Sequence, residues 1–292
     1  MSYIKLKNLF EEQSLLNDIS GILSWDMATY MPNKSRSARI KQMKVVYDYK
    51  EKIFSEIKKN ELFKKAESKK LNYFDTLNLQ LMKEKFEYFE TIPFEKIKKK
   101  SELSIECEGL WREAKRKSNF CIVKKTFSNL VNLIQEESEI LSQKKNKSKY
   151  DSLLLNYDRS FSTKELIELF NTIEKFIKLK LPIILKKQKH NYSDDFKNKL
   201  TESEQFELSK SLMKKLGFDF SKGRIDKSIH PFCGGSTDDV RITTRFDEND
   251  SFSCFDALMH ETGHALYEQG LPKKWIHQPL GSSAGMSLHE SQ

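Results

Sequence analysis

The sequence predicts a mostly α-helical protein with one small β element, and three observations carry that reading. Breakers are scarce over the first 216 residues, where glycine stands only at 21 and 109 and proline only at 32, 93 and 182. Between them apolar residues recur three or four apart, as in Leu166, Phe170, Ile173 and Ile177, which gathers them on one helix face. The texture then changes at Gly217. Turn residues cluster from there to Asn249, among them Gly223, Pro231, Gly234, Gly235, Ser236, Asp238 and Asp239.

Taken in order, the periodic stretches predict helices near 4–23, 36–58, 70–91, 94–117, 121–146, 163–189 and 202–216. Ser162-x-x-Glu165 is a capping-box start for the sixth of these, which passes or ends at Pro182. Thr201-x-x-Glu204 opens the seventh and Gly217 closes it. Within the turn-rich stretch, Val240-Arg241-Ile242-Thr243-Thr244-Arg245-Phe246 alternates apolar with polar and is rich in β-branched residues. It predicts a strand over 239–246, either an edge strand able to pair with a substrate backbone or a piece of hairpin. Asp247-Glu248-Asn249-Asp250 turns the chain into a helix from about Ser253 to Gln269, and a last helix begins near Ser282 to Gly285.

Composition narrows the function classes. The net charge is +9, but the lysines sit among glutamates at helical spacing, as from Glu95 to Glu102. The densest runs, 98–100 and 144–149, hold no aromatic residue to stack on bases. The charge is therefore read as solvated helix faces, with no nucleic-acid partner expected. Cysteines stand at 107, 121, 233 and 254 with no C-x-x-C pair, which fits free thiols in a reducing compartment. There is no signal-like start and no run of eighteen apolar residues, so a cytoplasmic protein without a membrane partner is expected.

The chemistry lies in His260-Glu261-Thr262-Gly263-His264, an H-E-x-x-H motif on a helix. Residues four apart differ by about 40° around the axis, so two imidazoles can meet one ion. Glu261 lies beside them, placed to act as general base on a water activated by zinc. A catalytic zinc needs a third protein ligand. The metzincin pattern is excluded, because it requires glycine at 267 and histidine at 270 where this chain has Tyr267 and Gly270. The candidates are His277, His289, Glu290 and Glu268. Glu268 sits two turns from His260, and His277 would be held loosely by a loop. Glu290, 26 residues after His264 on a separate helix, is favoured. That is the gluzincin arrangement, with His289 as a second-layer or substrate contact.

Four pieces of sequence resemble the carboxypeptidase Taq family of zinc metallocarboxypeptidases. They are His230-Pro231-Phe232; Asp239-Val240-Arg241-Ile242-Thr243, fitting D-x-R-x-T; the H-E-x-x-H motif; and His289-Glu290-Ser291-Gln292, fitting H-E-S-Q. The stretch from Ser24-Trp25-Asp26-Met27 to Met31-Pro32 also looks like the family's start. The resemblance implies one Zn2+ per chain, with other divalent ions as substitutes, held by His260, His264 and Glu290, with Glu261 as catalytic base. It implies that His230, Asp239, Arg241 and Thr243 line the site. The implied fold is an elongated, mostly helical gluzincin-like architecture with a deep cleft and a small sheet beside the zinc helix. Residues 1–216 would form one wall of the cleft and 217–292 the zinc-site region, within one continuous catalytic domain.

The implied activity is removal of single residues from peptide C-termini by metal-hydroxide attack, commonly in a homodimer. Family members continue well past H-E-S-Q, so the C-terminal part is expected to be missing here, and activity is expected to need that half in cis or as a separate chain. A last helix this short is marginal alone, so Glu290 is expected to fray. Two other readings compete: an inactive fragment acting as a helical binding module, and a zinc endopeptidase.

Overall fold

The computed structural model describes residues 2–188 and 200–292. Its elements are α1 (Ser2–Thr29), α2 (Arg36–Lys59), α3 (Leu62–Glu67), α4 (Tyr73–Thr91), α5 (Phe94–Arg116), α6 (Cys121–Lys145), α7 (Lys149–Leu154), α8 (Thr163–Gln188), α9 (Glu202–Leu216), β1 (Gly223–Lys227), β2 (Phe232–Ser236), β3 (Asp239–Thr244), α10 (Ser251–Gln269) and α11 (Met286–His289). The fold is mostly helical with one small sheet, as the sequence predicts. The last residue of the helix expected over 163–189 lies outside the described residues. Both capping boxes form: Ser162 and Glu165 exchange hydrogen bonds at the start of α8, as do Thr201 and Glu204 at the start of α9. The helix expected over 4–23 runs on through Trp25 to Thr29.

The main core joins the first four helices. Leu6 and Phe10 of α1, Phe54 and Ile57 of α2, Leu62 of α3 and Met82 and Phe86 of α4 are buried together. Their spacing on each helix is the three-and-four pattern that predicted the helices. A second core, of Met213, Phe218, Ile225, Val240, Ile242, Leu258 and Ala265, ties α9 and α10 to the sheet.

The strand order is β1-β3-β2, with β1 parallel and β2 antiparallel to β3. Of the two readings of 239–246, the hairpin one holds, since β2 and β3 pair antiparallel across a two-residue turn, and the edge-strand one is corrected. The strand expected over 239–246 ends at Thr244 and is the middle strand, hydrogen-bonded on both sides, so it has no free edge to offer a substrate. The edge next to the zinc-motif helix belongs to β2. Alternation along β3 explains its two faces. Val240 and Ile242 point into the α9–α10 core. Arg241 points the other way, where its guanidinium lies 4.2 Å from the Trp25 ring and the Asp239 carboxylate accepts from it at 2.7 Å. The Trp25 stretch of α1 thus clamps one side of the sheet while α10 packs on the other.

α8 buries none of its residues against the described protein, and Phe170, Ile173, Phe176 and Ile177 stay exposed. No helix among the described residues is long and apolar enough to cross a membrane.

One buried cation stands out. Lys50 of α2 is 4% exposed. Its Nζ donates to the Ser20 Oγ at 3.3 Å and lies 4.8 Å from the Tyr47 ring centre, with no carboxylate partner among the described residues. Burial pushes its ammonium down from 10.5 to about 8. Below pH 8 the lysine is protonated whether folded or unfolded, and the burial cost is fully present. Between pH 8 and 10.5 the folded protein releases the proton first, so stability rises with pH. The cost at neutral pH is on the order of 3 kcal/mol. Lys50→Met is therefore expected to stabilise the fold at pH 7 by about 1–3 kcal/mol and to flatten the alkaline rise. Urea denaturation at several pH values checks this, and unchanged stability at pH 7 would show that the ammonium bears no such cost.

Candidate metal centre

The zinc-motif helix is fixed in rotation by its buried side. Leu258, Thr262 and Ala265 are fully buried, and the Thr262 hydroxyl donates to the Leu258 carbonyl at 2.7 Å. At about 100° per residue, this stripe leaves His260 and His264 on one flank and Glu261 between them and the sheet. His264 is buried and His260 exposed.

Three donors converge there. The two Nε2 atoms are 3.1 Å apart, and a Glu290 carboxylate oxygen lies 3.4 Å from the Nε2 of His260 and 3.6 Å from that of His264. All three fall within 4.8 Å of one another. A tetrahedral zinc with ligands at about 2.0–2.1 Å spaces its ligand atoms about 3.3 Å apart, so the set fits one such ion. The tautomer fits as well. His264 Nδ1 donates to the His289 carbonyl at 2.9 Å, which leaves the Nε2 lone pair bare. Burial, followed by the neighbouring His289 and His260, pushes the His264 imidazole below its ordinary value and favours the neutral form that a ligand needs.

Glu261 points to the same space from the sheet side. Burial raises its carboxyl above the usual carboxylate range and Glu290 adds to this, while His260, His289 and a hydrogen bond from the Cys233 N–H act in the opposite direction. The edge strand β2 thus supplies a backbone donor to this carboxylate. The Cys233 thiol beside it is pushed up to about 12 by burial and by Glu261 and Glu268, so it stays protonated.

Glu290 reaches the site by a chain of anchors rather than by a long helix. Asn78, fully buried in α4, donates to the Gln278 side chain at 3.1 Å and accepts from the Leu280 N–H at 3.1 Å. Farther on, the Asp158 carboxylate accepts from the Ser287 N–H at 3.1 Å, and the Tyr157 carbonyl accepts from the Met286 N–H at 2.9 Å. The expected third-ligand helix is only the four residues of α11, with Glu290 just past its end. Its first amides are satisfied from the α7–α8 connection, which holds the segment where isolated helix propensity cannot.

The remaining expected site residues separate. His289 stacks on His264 with ring centres 4.5 Å apart, and its Nε2 lies 3.0 Å from the Glu268 carboxylate. Glu268 therefore orients His289 instead of joining the three donors. Thr243 is buried, and its hydroxyl accepts from the Phe232 N–H at 3.1 Å, tying the turn before β2 to β3. His230 is exposed, and its carbonyl accepts from the Ser228 hydroxyl at 2.6 Å. Asp239 and Arg241 pair with each other, under Trp25. Sequence reasoning missed Cys233, Asp158, Asn78 and Gln278, since each acts through a contact distant in sequence. Tyr267 also belongs to the surroundings of the site: its hydroxyl accepts from the Ala284 N–H at 3.2 Å and its ring meets His289 edge-on at 5.3 Å.

Gly263 permits the close approach of the terminal segment. A Cβ there would stand 2.8 Å from the Gln292 carbonyl carbon. Gly263→Ala is expected to keep α10 intact, since alanine favours helix by about 1 kcal/mol. It should push the Glu290 segment away and weaken zinc binding by about 10-fold. Zinc titration beside a circular-dichroism melt checks this, and unchanged affinity would contradict the close packing.

The family model described as carboxypeptidase Taq (M32) metallopeptidase matches residues 5–292. Thermostable carboxypeptidase 1 of Thermus thermophilus is 26% identical over 303 residues, covering 100% of this chain and 59% of that protein. Carboxypeptidase 1 of Bacillus subtilis is 30% identical over 194 residues, covering 65% of this chain and 38% of that protein. Metallocarboxypeptidase 1 of Trypanosoma cruzi superposes with a TM-score of 0.85 at 28% identity, over 99% of this chain and 58% of that one. An M32 carboxypeptidase from Deinococcus radiodurans, 23% identical with a TM-score of 0.83, shares the fold. The chain thus spans 59% of the length of the Thermus relative and 58% of the Trypanosoma structure.

Proposed function

The chain belongs to the carboxypeptidase Taq (M32) family of metallopeptidases, and from that premise we propose that it acts as a zinc-dependent carboxypeptidase releasing single residues from peptide C-termini. The observation that carries the proposal is the convergence of His260, His264 and Glu290 beside the carboxylate of Glu261. Two imidazoles and one carboxylate suit zinc among the divalent ions. When bound, the ion supplies Lewis acidity, polarising the scissile carbonyl and making water acidic enough to attack near neutral pH.

The chain's own residues do the rest. The His289 carbonyl holds His264 in the tautomer that binds metal, and the Glu268 carboxylate holds His289. Glu261 takes a proton from the attacking water as the carbon–oxygen bond forms. It then delivers that proton to the departing amine nitrogen as the carbon–nitrogen bond breaks. The Cys233 N–H steadies the carboxylate between these roles. Asp239, Arg241, Thr243 and His230 act at one remove, by fixing the sheet and the turn that carry Cys233. The free thiols support placement in the cytoplasm.

Mass spectrometry of an unstructured peptide incubated with the zinc-loaded chain tests this reading. With the C-terminal half supplied in cis or as a separate chain, a ladder losing one C-terminal residue at a time is expected, whereas internal cuts would replace it with an endopeptidase. The exposed apolar face of α8 favours a second reading, a helical partner-binding module in which the metal motif is vestigial. That reading requires a chain that takes up no zinc.

A further inference from the structure

Several basic side chains in this protein are matched in ion pairs. Lys83 pairs with Glu67, Lys145 with Glu87, Arg159 with Glu84, and Lys98 with Asp48 and Glu51. A cavity of about 520 Å³ between the start of α2 and the end of α5 departs from this pattern. Arg36, Arg112, Lys115 and Arg116 line it, together with Asn33 and Ile229. Its one carboxylate, Glu113, is paired with Lys117 at 2.7 Å, and the charges of Arg116 and Arg36 act on it as well. Arg112 is paired with Glu108 and also donates to the Ala28 carbonyl at 3.3 Å. Arg36 and Arg116 have no ion-pair or hydrogen-bond partner among the described residues.

One further feature favours an anion. Gly109 of α5 makes room for a guanidinium to lie flat against the helix. A Cβ at Gly109 would stand 1.9 Å from the Arg36 Cζ. One carboxylate does not balance the four basic side chains that line the cavity, and a ligand with several oxyanion groups would engage them through forked hydrogen bonds. The volume lies within the roughly 300–1,000 Å³ typical of small-molecule sites.

We propose that this cavity binds a small polyanion carrying two or more phosphate or carboxylate groups. Such a ligand would join α2, α5 and the Ile229 loop, which leads through His230 and Pro231 into β2. The site stands independently of the catalytic reading.

Calorimetric titration of the zinc-loaded chain at constant ionic strength tests it. The probes are inorganic phosphate, a bisphosphorylated hexose and tricarballylate. Saturable binding of one bisphosphate or tricarboxylate per chain is expected, about 10-fold or more tighter than inorganic phosphate. Which of the two binds identifies the oxyanion class. Arg36→Gln and Arg116→Gln should each weaken it by about 5-fold or more. Gly109→Ala provides the control for folding. Alanine suits a helix interior, so the melting temperature should hold while the displaced Arg36 side chain weakens binding. The proposal is overturned if no probe saturates by about 10 mM, or if binding is the same in Arg36→Gln and Gly109→Ala as in the parent.

Discussion

Glu261→Gln is expected to lower kcat for C-terminal residue release by about 10²–10⁴-fold, the usual worth of a positioned general base, with zinc still bound. Glutamine keeps the shape of the side chain and can still accept from the Cys233 N–H, so the buried pocket between α10 and β2 stays filled. What it loses is the ability to take a proton from water and pass it to the amine. The substitution also removes a carboxylate close to Glu290, whose charge opposes ionisation of Glu261. Zinc affinity should therefore fall little, and a change mainly in kcat rather than KM is the signature of a group acting in the transition state. Retained activity in this variant would move the base to another residue. Lost zinc would mean that Glu261 is a ligand.

Much of the site is legible in the sequence because it is local. Helix geometry alone places His260, Glu261 and His264 along one flank, and the apolar stripe of Leu258 and Ala265 says which side faces inward. Glu290 is harder. It emerges from the sequence only by weighing four candidates and by the family resemblance, since no spacing rule fixes where a second helix crosses the first. What anchors it is not legible at all. Asp158 and Asn78 lie more than a hundred residues before the segment they hold, and neither is one of the apolar residues whose spacing marks a buried face.

The sheet shows the same limit from another side. β3 announces itself through β-branched alternation, but β2, with Gly234 and Gly235, reads as a turn. Strand pairing depends on residues far apart, and so the middle strand could be taken for an edge. The six-residue helices α3 and α7 are too short for periodicity to register. In α8 the periodicity is clear, yet an amphipathic pattern does not name what its apolar face meets.

Ligand removal should have the other large effect. Structural zinc sites are worth about 10–16 kcal/mol over four ligands, so one ligand accounts for about 3–4 kcal/mol, or roughly 10²–10³-fold in affinity. His264→Ala should cost at least this much. His264 is the buried member of the set and is already oriented by the His289 carbonyl, so its loss removes a prepared donor and leaves His289 without its stacking partner. His260, more exposed and with no second-layer bond among the described residues beyond its approach to Glu290 and His264, should cost somewhat less.

Glu290→Ala carries the sharper question, because Glu290 alone tests whether the terminal segment is part of the centre. Zinc titration of the parent chain and of Glu290→Ala, followed by calorimetry at pH 7, is the direct measurement. The parent is expected to bind one zinc per chain, and Glu290→Ala is expected to bind it about 10²–10³-fold more weakly. A parent that takes up no zinc, or a Glu290→Ala variant that binds it as tightly as the parent, would contradict a centre built from His260, His264 and Glu290.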